Sequence, residues 1–277
     1  MKYIGFLGPQ GTYSHHAANL YSVNAIKVPF NTINEVLNSL DTKESQEVVV
    51  PLENSINGSI VEVLDFLAGD NKFNIIEELE VNINHSIFTL KTFRHSTIDV
   101  IFSHPQALGQ CYEYLNEKYQ NSELKISNST ADSLNDLLKS GISGAFIGPP
   151  WMKDNDAVVE IDKNIQSADN NVTRFVVIGQ GIRKKSKQDK TSVVFSFNDD
   201  SPGSLHSAIE PLAKKSINMT KIESRPTKEG LGSYYFFVDI EGHVNDQKLA
   251  YCLSLMKENV SNLKVLGSYP KFQRDKS

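Results

Sequence analysis

The sequence predicts an α/β protein of two lobes with a cleft between them, followed by a small appended domain. Three observations carry that expectation. Short apolar runs alternate with amphipathic helical stretches from the N-terminus to about residue 178, the pattern of strands joined by helical crossovers. Residues 180–190 then hold Gly181 and four lysines with no apolar period, which marks a linker. Beyond it the elements restart on a smaller scale in the order βαββαβ, the split βαβ arrangement of ferredoxin-like domains.

In chain order, residues 2–7 are a short apolar strand that meets Gly8-Pro9-Gln10-Gly11-Thr12, and residues 13–21 have helical composition. The turn lacks the spacings of dinucleotide and P-loop sites, leaving only an anion at the helix N-terminus open. Thr32 and Glu35 have capping-box spacing ahead of an amphipathic helix carrying Ile33, Val36, Leu37 and Leu40,. That helix delivers the chain to the valine run 48–50. The expected βαβ crossovers make a parallel sheet with helices outside.

A second set follows, with strands at 99–102, 124–126 and 144–147 and helices at 105–119 and 133–139. Ser103 is placed as N-cap of the 105–119 helix, with Pro105 in its first turn. Leu108, Cys111, Tyr112 and Leu115 form its apolar face, while Ser103, Gln106 and Gln110 fall on another face at i, i+3, i+7. Those two amides are either a solvated face or part of a site. Strands at 157–161 and 174–178 close this part. In the tail, strands are expected at 192–197, 217–223, 234–240 and 264–269, with helices at 203–214 and 245–256.

Composition narrows the function. A chain of 277 residues with 39% hydrophobic content can bury the core of two domains,. No stretch approaches the roughly 20 apolar residues of a membrane helix, and the N-terminus has neither the length nor the flanks of a signal peptide. A cytoplasmic protein is expected. A net charge of -5 argues against general nucleic-acid binding,. Cys111 and Cys252 lie far apart without metal spacing, so buried reduced thiols are expected and no metal site,. His15, His16, His85 and His104 have no partner at metal spacing either; His104 beside Ser103 reads as a helix-capping or solvent-facing histidine.

The stretch VVVPLENSINGSI, residues 48–60, poses the sharpest question. A valine run bounded by Pro51 reads as a buried strand, and ligands gather outside the carboxyl ends of such strands in open α/β sheets. Asn54, Ser55, Asn57, Gly58 and Ser59 are equally ordinary turn formers. The residues alone leave both readings open.

Taken together, GPQGTYSHHAA, VPLENSINGSI, SHPQALGQC, NVTRFVVIG, PGSL and ESRP, in this order, resemble the monofunctional prephenate dehydratases of phenylalanine biosynthesis, which end in an ACT regulatory domain. The resemblance spans nearly the whole chain. It implies a catalytic domain over 1–181 similar to two-lobed periplasmic binding proteins, with lobes of approximately 1–78 plus 168–181 and 79–167. A linker at 182–190 and an ACT domain at 191–277 complete the expected layout. Carried over by motif, Thr173 is the catalytic threonine, with Glu53, Asn54, Ser103 and Gln110 lining the same site. The phenylalanine effector site falls on Gly203, Ser204, Leu205, Glu223, Ser224, Arg225 and Pro226. Two departures stand out. Pro149-Pro150-Trp151 reshapes one cleft wall, and the effector motif reads Gly203-Ser204-Leu205-His206 in place of GALV.

The implied reaction turns prephenate into phenylpyruvate, carbon dioxide and water, with aromatisation as the driving force and no cofactor. Such chemistry needs hydrogen-bond donors for the leaving hydroxyl. Thr173 is the expected donor, acting through a strong hydrogen bond or as a relay. Glu53 is either a buried acid feeding that relay or an ionised group orienting Asn54. Arg174 is suited to a substrate carboxylate or to a structural ion pair. Asn54, Ser55, Ser103 and Gln110 offer neutral donors around a dianion, with Gln106 beside them. Two rivals stay open: an enzyme preferring arogenate, and a non-catalytic amino-acid sensor. Phenylalanine is expected between ACT domains of paired subunits, in a dimer or tetramer.

Overall fold

The computed structural model describes residues 1–93, 97–198, 201–227 and 232–273. Its elements run β1 (Tyr3–Leu7), α1 (Tyr13–Tyr21), β2 (Ile26–Phe30), α2 (Ile33–Asn38), β3 (Glu47–Asn54), β4 (Gly58–Ser59), α3 (Val61–Ala68), β5 (Phe73–Asn82) and β6 (Ser86–Leu90). They continue with β7 (Val100–Ser103), α4 (Pro105–Gln110), α5 (Tyr112–Lys118), β8 (Glu123–Ile126), α6 (Ser133–Ser140), β9 (Gly144–Gly148), β10 (Val158–Lys163) and β11 (Val172–Gln180). The tail holds β12 (Asp189–Ser196), α7 (Ser204–Lys214), β13 (Met219–Pro226), β14 (Tyr234–Glu241), α8 (Gln247–Glu258) and β15 (Asn262–Pro270). The chain divides into two compact units. One comprises Met1–Ser45, Val49–Ser59 and Glu80–Phe175; the other comprises Gln46–Val48, Ile60–Leu79 and Val176–Ser277.

The strands before β12 form two sheets. In one the strand order is β2-β1-β3-β11-β5, with β4 pairing β3, and β1 and β2 run parallel as the βαβ reading requires. The other has the order β10-β6-β9-β7-β8. It is mixed rather than parallel: β7 runs parallel to β8 and β9, whereas β6 is antiparallel to both β9 and β10. Strand alternation splits its side chains cleanly. Ile87, Ile101, Ala145 and Ile147 pack with Cys111 and Leu115 on one face, and Phe88, Val100, Phe102 and Phe146 pack with Leu134 and Leu137 on the other.

The helix after β7 departs from expectation in three ways. It breaks at Cys111, whose backbone N–H is shared between Ala107 O and Gly109 O in a tightened turn,. Tyr112 therefore points to solvent at 62% exposure instead of joining the apolar face. The N-cap is His104, whose ring accepts from the Gln106 N–H, because Ser103 is still inside the strand. The valine strand likewise does not stop at Pro51 but runs on to Asn54. Both cysteines are free and buried; burial pushes the Cys111 thiol up to about 12, so it stays a thiol,.

The second unit contains a four-stranded sheet ordered β13-β14-β12-β15, antiparallel at each junction, with α7 and α8 over one face. Val193, Phe195, Val238 and Ile240 meet Ala208, Leu212, Leu249, Cys252 and Met256 there. This is the βαββαβ order read from the sequence. Residues 182–188 are exposed as a linker should be, yet 189–190 already belong to β12 and are buried. Lys190 Nζ meets Glu78 Oε2 at 2.7 Å, with only 9% and 1% of the two side chains exposed. Lys264 Nζ donates to Leu67 O and Gly69 O, closing the last turn of α3,. Arg225 Nε and Nη2 each reach an Asp65 oxygen on α3 at 2.7 Å. Among the described residues no helix is long and apolar enough to cross a membrane.

Candidate active site

The polar end of β3 answers the question posed by its sequence, because Asn54 does turn work with its oxygen and site work with its nitrogen. Its Oδ1 accepts from the backbone N–H groups of Ile56 and Asn57, each at 3.0 Å. This shapes the turn into β4, where Gly58 takes φ 77°,. Backbone donors cannot flip, so the amide orientation is fixed. Asn54 Nδ2 must then donate, and it does so to Asn171 Oδ1 at 2.7 Å and Thr173 Oγ1 at 3.0 Å.

The same logic passes along the chain of amides. With its oxygen accepting, Asn171 donates through Nδ2 to Gln110 Oε1 at 3.1 Å. Gln110 Oε1 is also 2.8 Å from His85 Nε2. Thus Asn54, Asn171 and Gln110, from β3, the approach to β11 and α4, form one oriented line ending at Thr173. The Thr173 oxygen receives a hydrogen bond from Asn54, which leaves its own O–H proton for another acceptor. Thr173 is 8% exposed and Asn54 7%. A cavity of about 440 Å³ opens beside this line, bordered by Ile56, Asn57, Gln106, Gln110, Gln166 and Asn171. Gln110 Nε2 has no hydrogen-bond partner among the described residues.

Neighbours in sequence alternate sides. Asn54 and Thr173 meet on one side, while Glu53 and Arg174 meet each other on the opposite one, with Arg174 Nη1 3.9 Å from Glu53 Oε2. Arg174 is 9% exposed. Ser55 pins the approach to β11: its hydroxyl donates to Asn170 O at 2.9 Å and accepts from the Val172 N–H at 3.0 Å. Ser103 is fully buried and donates to Ile147 O at 3.0 Å, with no hydrogen bond to the amide line. The structure therefore gathers Asn54, Gln110 and Thr173, seats Gln106 at the cavity, and holds Glu53, Arg174, Ser55 and Ser103 by other contacts.

Several contributors were not singled out from sequence. Asn171 lies inside the NVTRF run, yet only its pairing with Asn54 reveals its part. His85 and Gln166 gave no signal, since their partners are far along the chain: Gln166 Oε1 accepts from the His85 N–H at 2.8 Å. Burial holds the His85 imidazole below the usual histidine range, with the Gln110 hydrogen bond opposing,. Trp151 accounts for the unusual wall. Its Nε1 donates to Gly11 O at 2.9 Å, and its ring stacks on His16 at 4.4 Å and meets Tyr13 edge-on at 4.9 Å. The α1 N-terminus beside it is already served, because Thr12 caps His15 N and the Gly11 N–H goes to His15 Nδ1.

In the second unit, β12 and β13 both run antiparallel to β14, and Ser196 and Arg225 both stand opposite Tyr235. Gly203, Ser204 and Leu205, which open α7, and Glu223 to Pro226 therefore gather at one end of that sheet. Gly203 takes φ 94° as the α7 N-cap, which favours glycine,. Ser204 bonds Ser201, Leu205 packs on the core, and Glu223 pairs with Lys221 at 3.1 Å. Ser224, Pro226 and His206 are exposed.

A model of the prephenate dehydratase family matches residues 4–183, and one of the ACT domain matches residues 191–250. The chain is 34% identical over 279 residues to the prephenate dehydratase of Methanocaldococcus jannaschii, covering 98% of this chain and 99% of that one. It is 35% identical over 270 residues to the bifunctional chorismate mutase/prephenate dehydratase of Aquifex aeolicus, covering 97% and 73%. Among solved structures, the prephenate dehydratase from Arthrobacter aurescens in complex with L-Phe superposes with a TM-score of 0.86 at 30% identity, covering 97% of this chain and 90% of that one. The prephenate dehydratase of Staphylococcus aureus gives 0.83 at 27%, covering 97% and 100%.

Proposed function

The chain belongs to the prephenate dehydratase family and carries an ACT domain, and from that premise we propose that it converts prephenate to phenylpyruvate with Thr173 as the donor to the leaving hydroxyl. The observation that carries this is the polarity at Thr173. Its oxygen accepts from Asn54 Nδ2, so its proton is available to the substrate. In the reaction the ring C–O bond breaks and the oxygen departs as hydroxide, which takes up a proton from solvent to become water, while the electron pair of the C–CO₂⁻ bond enters the ring as carbon dioxide departs. A threonine proton is too weakly acidic to be given up fully. Thr173 therefore stabilises the departing oxygen by a short hydrogen bond, as a donor in an oxyanion hole does, worth about 10²–10³-fold.

The neighbours support that division of labour. Gln110, with its unpartnered Nε2, offers a neutral donor where a fixed cation would hold the carboxylate back from leaving,. Gln106 borders the same cavity. Glu53, paired with the Arg174 guanidinium, acts as counter-ion and support to its neighbour Asn54 rather than as the acid behind Thr173. Ser55 and Ser103 hold the two strand ends that carry the site.

Phenylalanine is proposed as the effector, since the Arthrobacter aurescens relative was solved in complex with L-Phe, and Gly203–Leu205 and Glu223–Pro226 are proposed to hold it. A site between ACT domains requires at least a dimer, and a cytoplasmic biosynthetic enzyme is the setting proposed. The test is to follow phenylpyruvate from purified protein and prephenate at neutral pH, for wild type and Thr173→Val, with and without phenylalanine. Turnover that collapses in the variant and falls with phenylalanine is expected. Equal turnover in the variant overturns the role of Thr173, turnover only with arogenate moves the substrate, and no turnover with tight phenylalanine binding leaves a sensor.

A further inference from the structure

We infer that His85 is a positioning residue for this reaction, holding the side-chain amide of Gln110, and through it the line to Thr173, in a single orientation. The argument rests on the reading of Thr173 as donor and starts from groups that cannot turn round. The Ile56 and Asn57 N–H groups fix Asn54; Asn54 fixes Asn171; Asn171 presents Nδ2 to Gln110 Oε1. At the far end Gln110 Oε1 lies 2.8 Å from His85 Nε2. An oxygen facing that nitrogen requires a proton on it, so the ring is the Nε2–H tautomer. The opposite tautomer would set two lone pairs against each other and place a proton on Nδ1, which is buried with no hydrogen-bond partner among the described residues. His85 is 3% exposed, its backbone N–H is tied to Gln166 Oε1, and the Tyr13 ring meets it edge-on at 6.3 Å.

The line is thus anchored at both ends, by backbone donors at β3 and by an imidazole at the start of β6. With His85 removed, Gln110 can rotate its amide. Asn171 Nδ2 then faces an N–H instead of an oxygen and can turn in its place, which sets its N–H against Asn54 Nδ2 and pushes the donation to Thr173 out of line. His85 does not border the cavity, and its backbone bond to Gln166 is kept when the side chain is replaced, so the effect of its imidazole on turnover is assigned to Gln110.

The decisive comparison sets His85→Leu against His85→Gln, whose terminal amide can place an N–H near the position of Nε2. At a temperature well below either variant's melting, His85→Leu is expected to lower kcat roughly 10–100-fold, the scale of a small misplacement of a reacting group. His85→Gln restores most of the loss. In a Gln110→Ala background His85→Leu is expected to cost nothing further. A His85→Leu enzyme that melts earlier but keeps wild-type kcat overturns the inference, as does an undiminished cost in the Gln110→Ala background. If those outcomes appear while Thr173→Val remains inactive, the proposed function stands and only the role of His85 falls. A readout independent of activity accompanies the kinetics: long-range ¹H–¹⁵N spectra of the wild type should show a protonated Nε2 and a bare Nδ1, and the reverse pattern refutes the oriented line.

Discussion

Asn54→Asp reverses the polarity on which the site depends while leaving its shape almost unchanged. An aspartate keeps the oxygen that accepts from the Ile56 and Asn57 N–H groups, and bonds to a charged acceptor are worth about 1.5–3 kcal/mol each. It loses the donations to Asn171 and Thr173, at about 0.5–1.5 kcal/mol each. The second oxygen also faces Asn171 Oδ1 in a position only 7% exposed, where a charge loses hydration, so a net loss of about 1–3 kcal/mol is expected and rates are compared well below the variant's melting,. The Thr173 hydroxyl fares differently. Beside a carboxylate it turns its proton inward, and the leaving hydroxyl loses its donor, at about 10²–10³-fold in kcat. Initial rates of phenylpyruvate formation at saturating prephenate provide the assay, with Thr173→Val in both backgrounds. Thr173→Val should cost the same 10²–10³-fold alone and almost nothing after Asn54→Asp. The reasoning is refuted if Asn54→Asp keeps its kcat and raises only KM, which would be charge repulsion of a dianion, or if the two substitutions are additive.

Three further outcomes follow from the packing. Lys190→Met takes the cation away from a buried carboxylate and should cost about 3–5 kcal/mol, visible as a melting transition lowered by about 10 °C or more; Glu78 keeps the Phe272 N–H at 3.0 Å, so the change is not total. Trp151→Phe retains the stack on His16 but loses the bond to Gly11 O, and equilibrium denaturation should register about 0.5–1.5 kcal/mol. For pH, burial lowers the imidazole pKa of His15, His16, His85 and His104. Below about pH 6.5 the unfolded chain takes up protons that the folded one refuses, so stability falls as pH drops from that point and is flat above it. Denaturation midpoints across that window should show the slope, and His85→Gln should flatten it.

The sequence carried the parts of the fold that are locally signalled. The α1 and α2 boundaries are set by Thr12 and Thr32, side chains that cap the helices they precede. The βαββαβ tail is legible because each of its strands is bounded by polar turns. The stretch from α3 through β6 was not legible: SIFTL, which is β6, is buried at every position, and a short run without alternation looks the same in a helix or a strand. The break at Cys111 escaped because an i, i+3, i+4 apolar series says where side chains point and nothing of a backbone turn that tightens between them. For the candidate site, Asn54, Thr173 and Gln110 were expected together from the resemblance of their motifs, and the structure joins them in one hydrogen-bonded line. The bonds that orient them join residues 61 and 117 positions apart, and no periodicity encodes such distances. The face shared by Glu53 and Arg174 followed from alternation once the strands were paired.

The bidentate grip of Arg225 on Asp65 sets a condition on regulation. A guanidinium fork fits one carboxylate at a time in that geometry. The carboxylate already seated belongs to α3, the helix that follows the Asn54 turn in the chain, and as a tethered group it is present at high effective concentration. A free amino acid whose carboxylate claims Arg225 in that geometry must therefore displace an internal rival, and what it releases is the helix next in sequence to the Asn54 turn. On the proposed reading of Arg225 as an effector contact, affinity for the effector and freedom of α3 would be two readings of a single exchange.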